Sequence, residues 1–317
     1  MRSGAQALTL LSSPLNFLLL QAIAEEPKAQ VTLRRETGSP AQTTIRAQLR
    51  KLIDAGAVQK GQRNRFPGAH AYELTTTGEE LLSVAGVLER WLAKSPEGPL
   101  TLRENGAKAA VGALIEGWST TLLRALAARP LTLTDLNNII GSLNYPALQR
   151  RISAMRLAGQ LEIVRSNGKG NLNQITDWLR EGVAPIVAAA RWERRHLPDA
   201  TAAIGAIDTE ATFLLAIPLL QLDAGLSGSC RLAAELPNGE RWSMAGVMVE
   251  VEDGRIAACV TRLAGVPESW ILGSPAAWLN AMIDGDSGNL ELGGDRHLAR
   301  AILDGLHGVL FGAKARL

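Results

Sequence analysis

The chain has 317 residues, 46% hydrophobic and 20% charged, with a formal net charge of +2; this is enough for two or three domains, and no apolar run reaches the length of a membrane span. The small total hides an asymmetry: residues 1–200 hold 25 Lys plus Arg against 17 Asp plus Glu, and residues 201–317 hold 8 against 14. Two cysteines, Cys230 and Cys259, and four histidines exclude a disulfide framework and a metal-ligand spacing, so buried free thiols in a reducing compartment are expected.

A basic first part and an acidic last part point to a polyanionic partner for the first alone, although a solvated surface gives the same count. Arg2, an apolar run from Leu8 and Ala22-Ile23-Ala24 imitate a signal peptide. Pro14 and Asn16 interrupt that run, and the segment recurs later in the chain. Residues 15–25 therefore read as a helix apolar over most of its surface, central to its domain and ended by Pro27. Residues 31–37 predict a short helix, and Gly38 allows a sharp turn. Ser39 and Pro40 read as the N-cap and first position of the next helix. Ile45, Leu49 and Leu52 form its apolar stripe, and Gly56 ends it. Gln42, Thr43, Thr44, Arg46 and Arg50 lie between the apolar positions, with side chains that hydrogen-bond base edges and phosphates. Helix, glycine turn and basic polar helix make a helix-turn-helix, though an ordinary amphipathic surface helix carries similar residues. Residues 57–62 and 71–75 predict two strands around a basic tip. There Arg63 and Arg65 can reach a phosphate or the minor groove as a wing; an ordinary charged hairpin is the alternative. Thr77 and Glu80 read as a capping box for a helix to residue 93, and residues 95–99 as a linker.

Residues 72–82, with a strand ending in Leu74-Thr75 followed by Gly78 and a helix, resemble the winged-helix regulators of the HxlR type, relatives of the MarR group. Residues 49–58 match the exit from their recognition helix: leucine, then Gly56, then an apolar strand. Residues 14–21 carry less Trp and Lys than is usual in that family. The resemblance implies double-stranded DNA as partner and binding as a dimer.

A shift of 103 residues lays the segment from Pro14 on that from Gly117, Val31, Leu33 and Gly38 on Thr134, Leu136 and Gly141, and Leu49, Leu52 and Gly56 on Ile152, Met155 and Gly159. After a loop two residues shorter, Leu74-Thr75 falls on Ile175-Thr176 and Trp91 on Trp192. One gap over some ninety residues indicates a tandem duplication. The second copy predicts helices at 115–127, 134–140 and 145–158, the last capped by Asn144 with Pro146 near its start. Tyr145, Gln149, Arg150 and Arg151 are its candidate DNA contacts, and Lys169 stands at the tip of its wing. The closing helix, 177–195, carries Trp178 and Trp192 as packing residues rather than platforms for bases. Two copies mimic a dimer inside one chain, or one reads DNA while the other holds the assembly together; the sequence leaves both open.

After a linker at 197–201 come a helix at 209–220 and a strand at 229–236. An Asn-Gly turn follows, then a strand at 242–251 apolar on both faces and therefore expected to be covered on both. A strand at 255–262, a short one at 270–273, a helix at 275–283, a strand at 288–292 and a helix at 296–310 complete an α+β layer. Residues 273–285 and 290–299 resemble the close of a sterol carrier protein-type domain, with its Gly-Ser, Trp-Leu, Gly-Asp pattern. That resemblance implies a sheet with helices on one side and an apolar cavity for a lipid-like or aromatic molecule. Trp242, Met244, Met248, Trp270, Trp278 and Met282 are large adaptable groups suited to lining it, or equally to filling a core. His297 and His307 have no nucleophile at a telling spacing, Asp284 and Asp286 read as a turn, and Gly293-Gly294 is too slight for a phosphate loop.

The expected fold is therefore α+β: two tandem winged helix-turn-helix domains, mainly α, at 1–98 and 99–200, followed by an α+β sterol carrier-like ligand-sensing domain at 201–317. The expected protein is a cytoplasmic, non-enzymatic DNA-binding transcription regulator without a cofactor. Its partners are double-stranded DNA, a hydrophobic small-molecule effector and, as an option, a second copy, but no membrane. The alternative is a lipid carrier or interaction module whose winged helices serve as scaffold, with an enzyme third.

Overall fold

The computed structural model describes residues 4–61, 70–117, 120–141, 144–166, 170–197, 203–238 and 241–312. The first apolar stretch forms two helices, α1 (Ala5–Leu11) and α2 (Pro14–Glu25). Pro14 has no N–H to continue the first helix and occupies the opening turn of the second. α2 buries Asn16, Phe17, Leu19, Leu20, Ala22 and Ile23, the central position its composition predicts. β1 (Lys28–Ala29), α3 (Gln30–Glu36), α4 (Gln42–Asp54), β2 (Val58–Lys60), β3 (Ala71–Leu74) and α5 (Thr76–Leu92) follow. β3 lies between β1 and β2, antiparallel to both.

Two capping expectations are corrected. Ser39 has φ 55 and donates its N–H to the Arg34 carbonyl at 2.8 Å, so it belongs to the end of α3; α4 starts at Gln42. Thr75, not Thr77, caps α5, accepting from the Gly78 N–H at 3.1 Å, while Glu80 turns away to His196. Gly78 is required by space. A Cβ there would stand 2.2 Å from the Ala57 carbonyl and 2.6 Å from Leu74 Cδ1, which is the physical content of the Leu-Thr-x-x-Gly spacing.

The same order of elements then recurs after α6 (Asn105–Gly117): α7 (Thr120–Ala128), α8 (Leu133–Ile139), α9 (Tyr145–Leu157), β4 (Leu161–Ser166), β5 (Gly170–Ile175), α10 (Asp177–Glu181) and α11 (Val183–His196). α9 begins and ends 103 residues after α4. Both helices close alike. Gly56 and Gly159 each take φ 71. Gly56 N–H bonds the Ile53 carbonyl and Ala57 N–H the Leu52 carbonyl; Gly159 bonds Arg156, and Gln160 bonds Met155. This pair of bonds satisfies the last carbonyls of a glycine-terminated helix. The helix expected at 177–195 is divided in two; residues 118 and 119 of the helix expected at 115–127 lie outside the described residues. The division follows from Pro185, whose ring crowds the carbonyl of Glu181 four residues back.

The last layer is a five-stranded sheet of β6 (Gly228–Asn238), β7 (Arg241–Glu252), β8 (Arg255–Val260), β9 (Ser269–Gly273) and β10 (Glu291–Gly294), ordered β10-β9-β6-β7-β8. Only the β6–β9 pair is parallel. α12 (Ala206–Ala216), α13 (Pro275–Asp284) and α14 (Arg296–Phe311) supply the helices. Cys230, Leu232 and Ala234 of β6 and Ala245, Val247, Val249 and Val251 of β7 form the buried face. The Trp278 indole closes on it, donating to the Ala233 carbonyl at 2.8 Å and meeting Phe213 edge-on at 4.7 Å. The opposite face was expected to be covered too and is so only in part: Met248 is buried, but Trp242 is 72% and Met244 57% exposed.

By packing, the described chain divides into one unit of residues 1–115 with 185–203 and another of 116–184 with 204–317. In the first unit, α11 is held to α1 and α5. The Glu193 carboxylate, 2% exposed, accepts from the N–H groups of Gly4 at 2.6 Å and Ala7 at 2.8 Å, capping α1 from outside its own segment. The Trp192 indole donates to the Thr77 carbonyl at 2.9 Å, and His196 Nε2 meets Glu80 Oε2 at 3.0 Å. In the second unit, Arg180 Nη1 donates to the Leu214 carbonyl at 3.0 Å and Arg124 Nε lies 3.0 Å from Glu210 Oε2. The three-part division expected above follows the sequence repeat; these units follow the docking of α11. No single described helix is long and apolar enough to cross a membrane.

Candidate nucleic-acid interface

α3 inserts Leu33 into the core, and α4 inserts Ile45, Leu49 and Leu52. Between them Gly38 and Ser39 both take positive φ, 85 and 55, reversing the chain in two residues. Arg34 Nε donates to the Pro40 carbonyl at 2.8 Å and ties the turn shut. With one face of α4 fixed inward, Gln42, Thr43, Thr44, Arg46 and Arg50 are all exposed. The five candidates thus share one solvent-facing helix surface.

Beside α4 lies a cavity of about 840 Å³ lined by Arg46, Arg50, Gln59, Lys60, Gln30 and Thr75, among others. Helix and hairpin form its walls, so three cations and two amides meet in one concave surface. Lys60 was not among the sequence candidates. Its signal was available: in β2 the exposed Gln59 and Lys60 follow the buried Val58, at the base of the basic tip. Arg50 Nε lies 3.9 Å from Asp54 Oδ2 with both side chains well exposed, a spacing that leaves the guanidinium available to a phosphate. Arg63 and Arg65 lie outside the described residues.

Lys28 is a cation put to another use. It is buried, bonded to Glu25 Oε2 at 2.8 Å and Glu36 Oε2 at 2.9 Å, and these carboxylates raise its pKa above the usual lysine value. It joins the ends of α2 and α3 and so fixes the start of the helix-turn-helix.

In the second set of elements α9 buries Leu148, Ile152 and Met155. Asn144 caps it by accepting from the Ala147 N–H at 2.9 Å. Tyr145, Gln149 and Arg150 are exposed and Arg151 is half-buried, so the candidates again share the outer side of a helix. Arg156 does not. Its guanidinium is bonded to the Asn173 side chain, which is itself fully buried and donates to the Leu131 carbonyl. Leu131 pairs with Asn173 at the position that Lys28 holds opposite Tyr72 in the first set. Lys169 lies outside the described residues.

The six apolar candidates of the last layer are divided between two places. Trp278 and Met282 are buried on α13. Trp242, Met244, Met248 and Trp270 are on β7 and β9, at register positions facing away from the buried side, with Trp270 packed over Gly293. Trp278 and the β7 and β9 residues thus lie on opposite sides of the sheet. Both thiols are free, and burial pushes Cys230 up to about 11 and Cys259 up to about 12, which keeps them protonated and unreactive near neutrality.

A short helix, a left-handed turn, an outward polar helix and an antiparallel hairpin with a cationic groove define a winged helix-turn-helix, a fold and surface suited to DNA. A family model described as HxlR-like helix-turn-helix matches residues 10–97. That segment runs from the end of α1 through α5 and contains the whole groove, so DNA-binding transcription regulation is the function it supports. No curated protein matches the chain.

Proposed function

We propose that the chain is a ligand-responsive transcription regulator with two winged helices, at residues 1–98 and 99–200, followed by a sterol carrier-like sensor at 201–317. The observation that carries the reading is the groove between α4 and the β2–β3 hairpin, where Arg46, Arg50 and Lys60 converge inside the family-matched segment. α4 enters a major groove with Gln42, Thr43 and Thr44 toward base edges. The cations beside it contact flanking phosphates. The recurrence of helix lengths, glycine caps and Thr caps supports treating α7–α11 with β4 and β5 as a second winged helix. Tyr145, Gln149 and Arg150 are its reading residues. The strand order and helix sequence of the last layer support a sterol carrier-like sensor for a hydrophobic effector. Such an effector acts only through its differential affinity for the DNA-binding and non-binding arrangements. The reading places the protein in the cytoplasm, needs no catalytic step or cofactor, and takes the dimer of the resembled family either as two chains or as two copies within one.

The test is a gel shift on the DNA upstream of the protein's own coding sequence, at low and moderate salt. A discrete complex that survives nonspecific competitor is expected. Smeared binding erased by moderate salt would reduce the winged helices to scaffold and favour a carrier or interaction module.

A further inference from the structure

A second cavity, of about 360 Å³, lies within the 116–184 and 204–317 unit, where α7 and α8 meet α12 and the end of β8. This volume is near the lower end of the about 300–1,000 Å³ usual for small-molecule sites. Its wall is apolar along one side, with Ala125, Leu131, Leu214 and Val260. Ile139 and Val260, both among its lining residues, are each 47% exposed, so an apolar occupant would remove water from side chains that the fold itself leaves wet.

The other side is cationic. Arg124 is set in the wall by Glu210 at 3.0 Å and leans on Thr261 Oγ1 at 3.5 Å. Arg129 lines the cavity from the exposed end of α7. Behind the wall, Arg180 sits beside Cys259, bonded to the Leu214 carbonyl. Its carboxylate neighbour Asp177, at 3.8 Å, is 87% exposed and screened by water. Two guanidinium groups therefore line the cavity, Arg124 paired with Glu210 and Arg129 at its exposed end, with Arg180 behind the wall. Planar donors in this setting fit a carboxylate head.

We propose that this cavity is a binding site for a small amphiphile with a carboxylate head and a short apolar body. The head is taken by Arg129 and Arg124 and the body by Leu131, Leu214, Ile139 and Val260. Val260 stands opposite Met248 in register, so this site borders the sheet face that carries Trp242 and Met244. It touches both the helices preceding α9 and the edge of the five-stranded sheet, so an occupant contacts the reading motif and the last layer at once. Its regulatory meaning rests on the proposed function; its existence as a site does not.

The experiment is isothermal titration calorimetry of the full chain with sodium octanoate and, as a neutral counterpart, 1-octanol. Octanoate is expected to bind with one site per chain and octanol about tenfold more weakly or less. Arg129→Gln should weaken octanoate about tenfold, and Ala125→Phe, which fills the cavity, should abolish it. Val260→Gln, at a half-exposed position, is the variant that keeps its fold and should also weaken binding. No heat of binding up to millimolar octanoate, or equal binding by all variants, overturns the proposal. A gel shift with and without octanoate separates the two readings. Octanoate binding in a chain that never retains DNA keeps the site and removes the regulator.

Discussion

Arg46→Gln combined with Arg50→Gln removes two of the three cations that meet in the groove beside α4. Both side chains are exposed and neither packs in the core, so the fold should change by less than about 0.5 kcal/mol. Each phosphate neutralised on duplex DNA contributes about −0.9 to the slope of log K against log salt. Losing two contacts should flatten that slope by about 1.8. Over a rise from about 50 to 200 mM salt, the parent should then lose about tenfold more affinity than the variant. Asp54→Asn, which removes the carboxylate 3.9 Å from Arg50, should shift binding modestly the other way. Fluorescence anisotropy with a labelled duplex across a salt series measures the slope, and circular dichroism checks the helix content. An unchanged slope in a folded double variant would refute the assignment of this groove to phosphate contact.

Acid should loosen the attachment of α11. Glu80 is held below the usual carboxylate value of 4.5, chiefly by its hydrogen bond to His196 and then by its attraction to His196 and Arg195. Its contribution is present above about pH 4.5 and lost as pH falls through the lowered value, so a plot of Tm against pH should lose part of its acid limb in Glu80→Gln. Gly78→Ala, with its Cβ driven against the Ala57 carbonyl, should cost about 1–3 kcal/mol in urea unfolding. Gly86→Ala in the same helix, where the nearest neighbour is Arg90 Nη1 at 3.9 Å, should stabilise by about 0.5–1 kcal/mol. Trp278→Phe deletes the buried bond to Ala233 and leaves its carbonyl without that donor, at a cost of about 1–3 kcal/mol in the same assay. Trp242→Ser, on the open face, should stay within about 0.5 kcal/mol of the parent.

Local order was legible in the chain because its causes are local. The Ile45-Leu49-Leu52 stripe, the glycines that end α4 and α9, Asn144 as a cap and the alternation of β6 each depend on neighbours within a few residues. The helix expected at 145–158 runs over Tyr145–Leu157, 103 residues after α4, because a similar apolar pattern buries the same helix face wherever it occurs. The candidate DNA contacts on α4 followed from the same logic: positions that its stripe leaves outside are outside. The misplacements have physical causes too. Ser39 has the chemistry of a cap, but a reversal after Gly38 needed two left-handed residues and took it. Thr77 and Glu80 have the spacing of a capping box, but Thr75 already accepts the Gly78 N–H, and Glu80 finds a partner 116 residues away in His196. Only tertiary structure could decide which side of the sheet the helices cover, and so why Trp242 and Met244 stand open while Trp278 closes on Ala233. It alone could show that Glu193, one acidic residue in a basic helix, caps α1 from 186 residues away. Burial of a charge and satisfaction of a helix end depend on what packs there, and the sequence of neither segment contains the other.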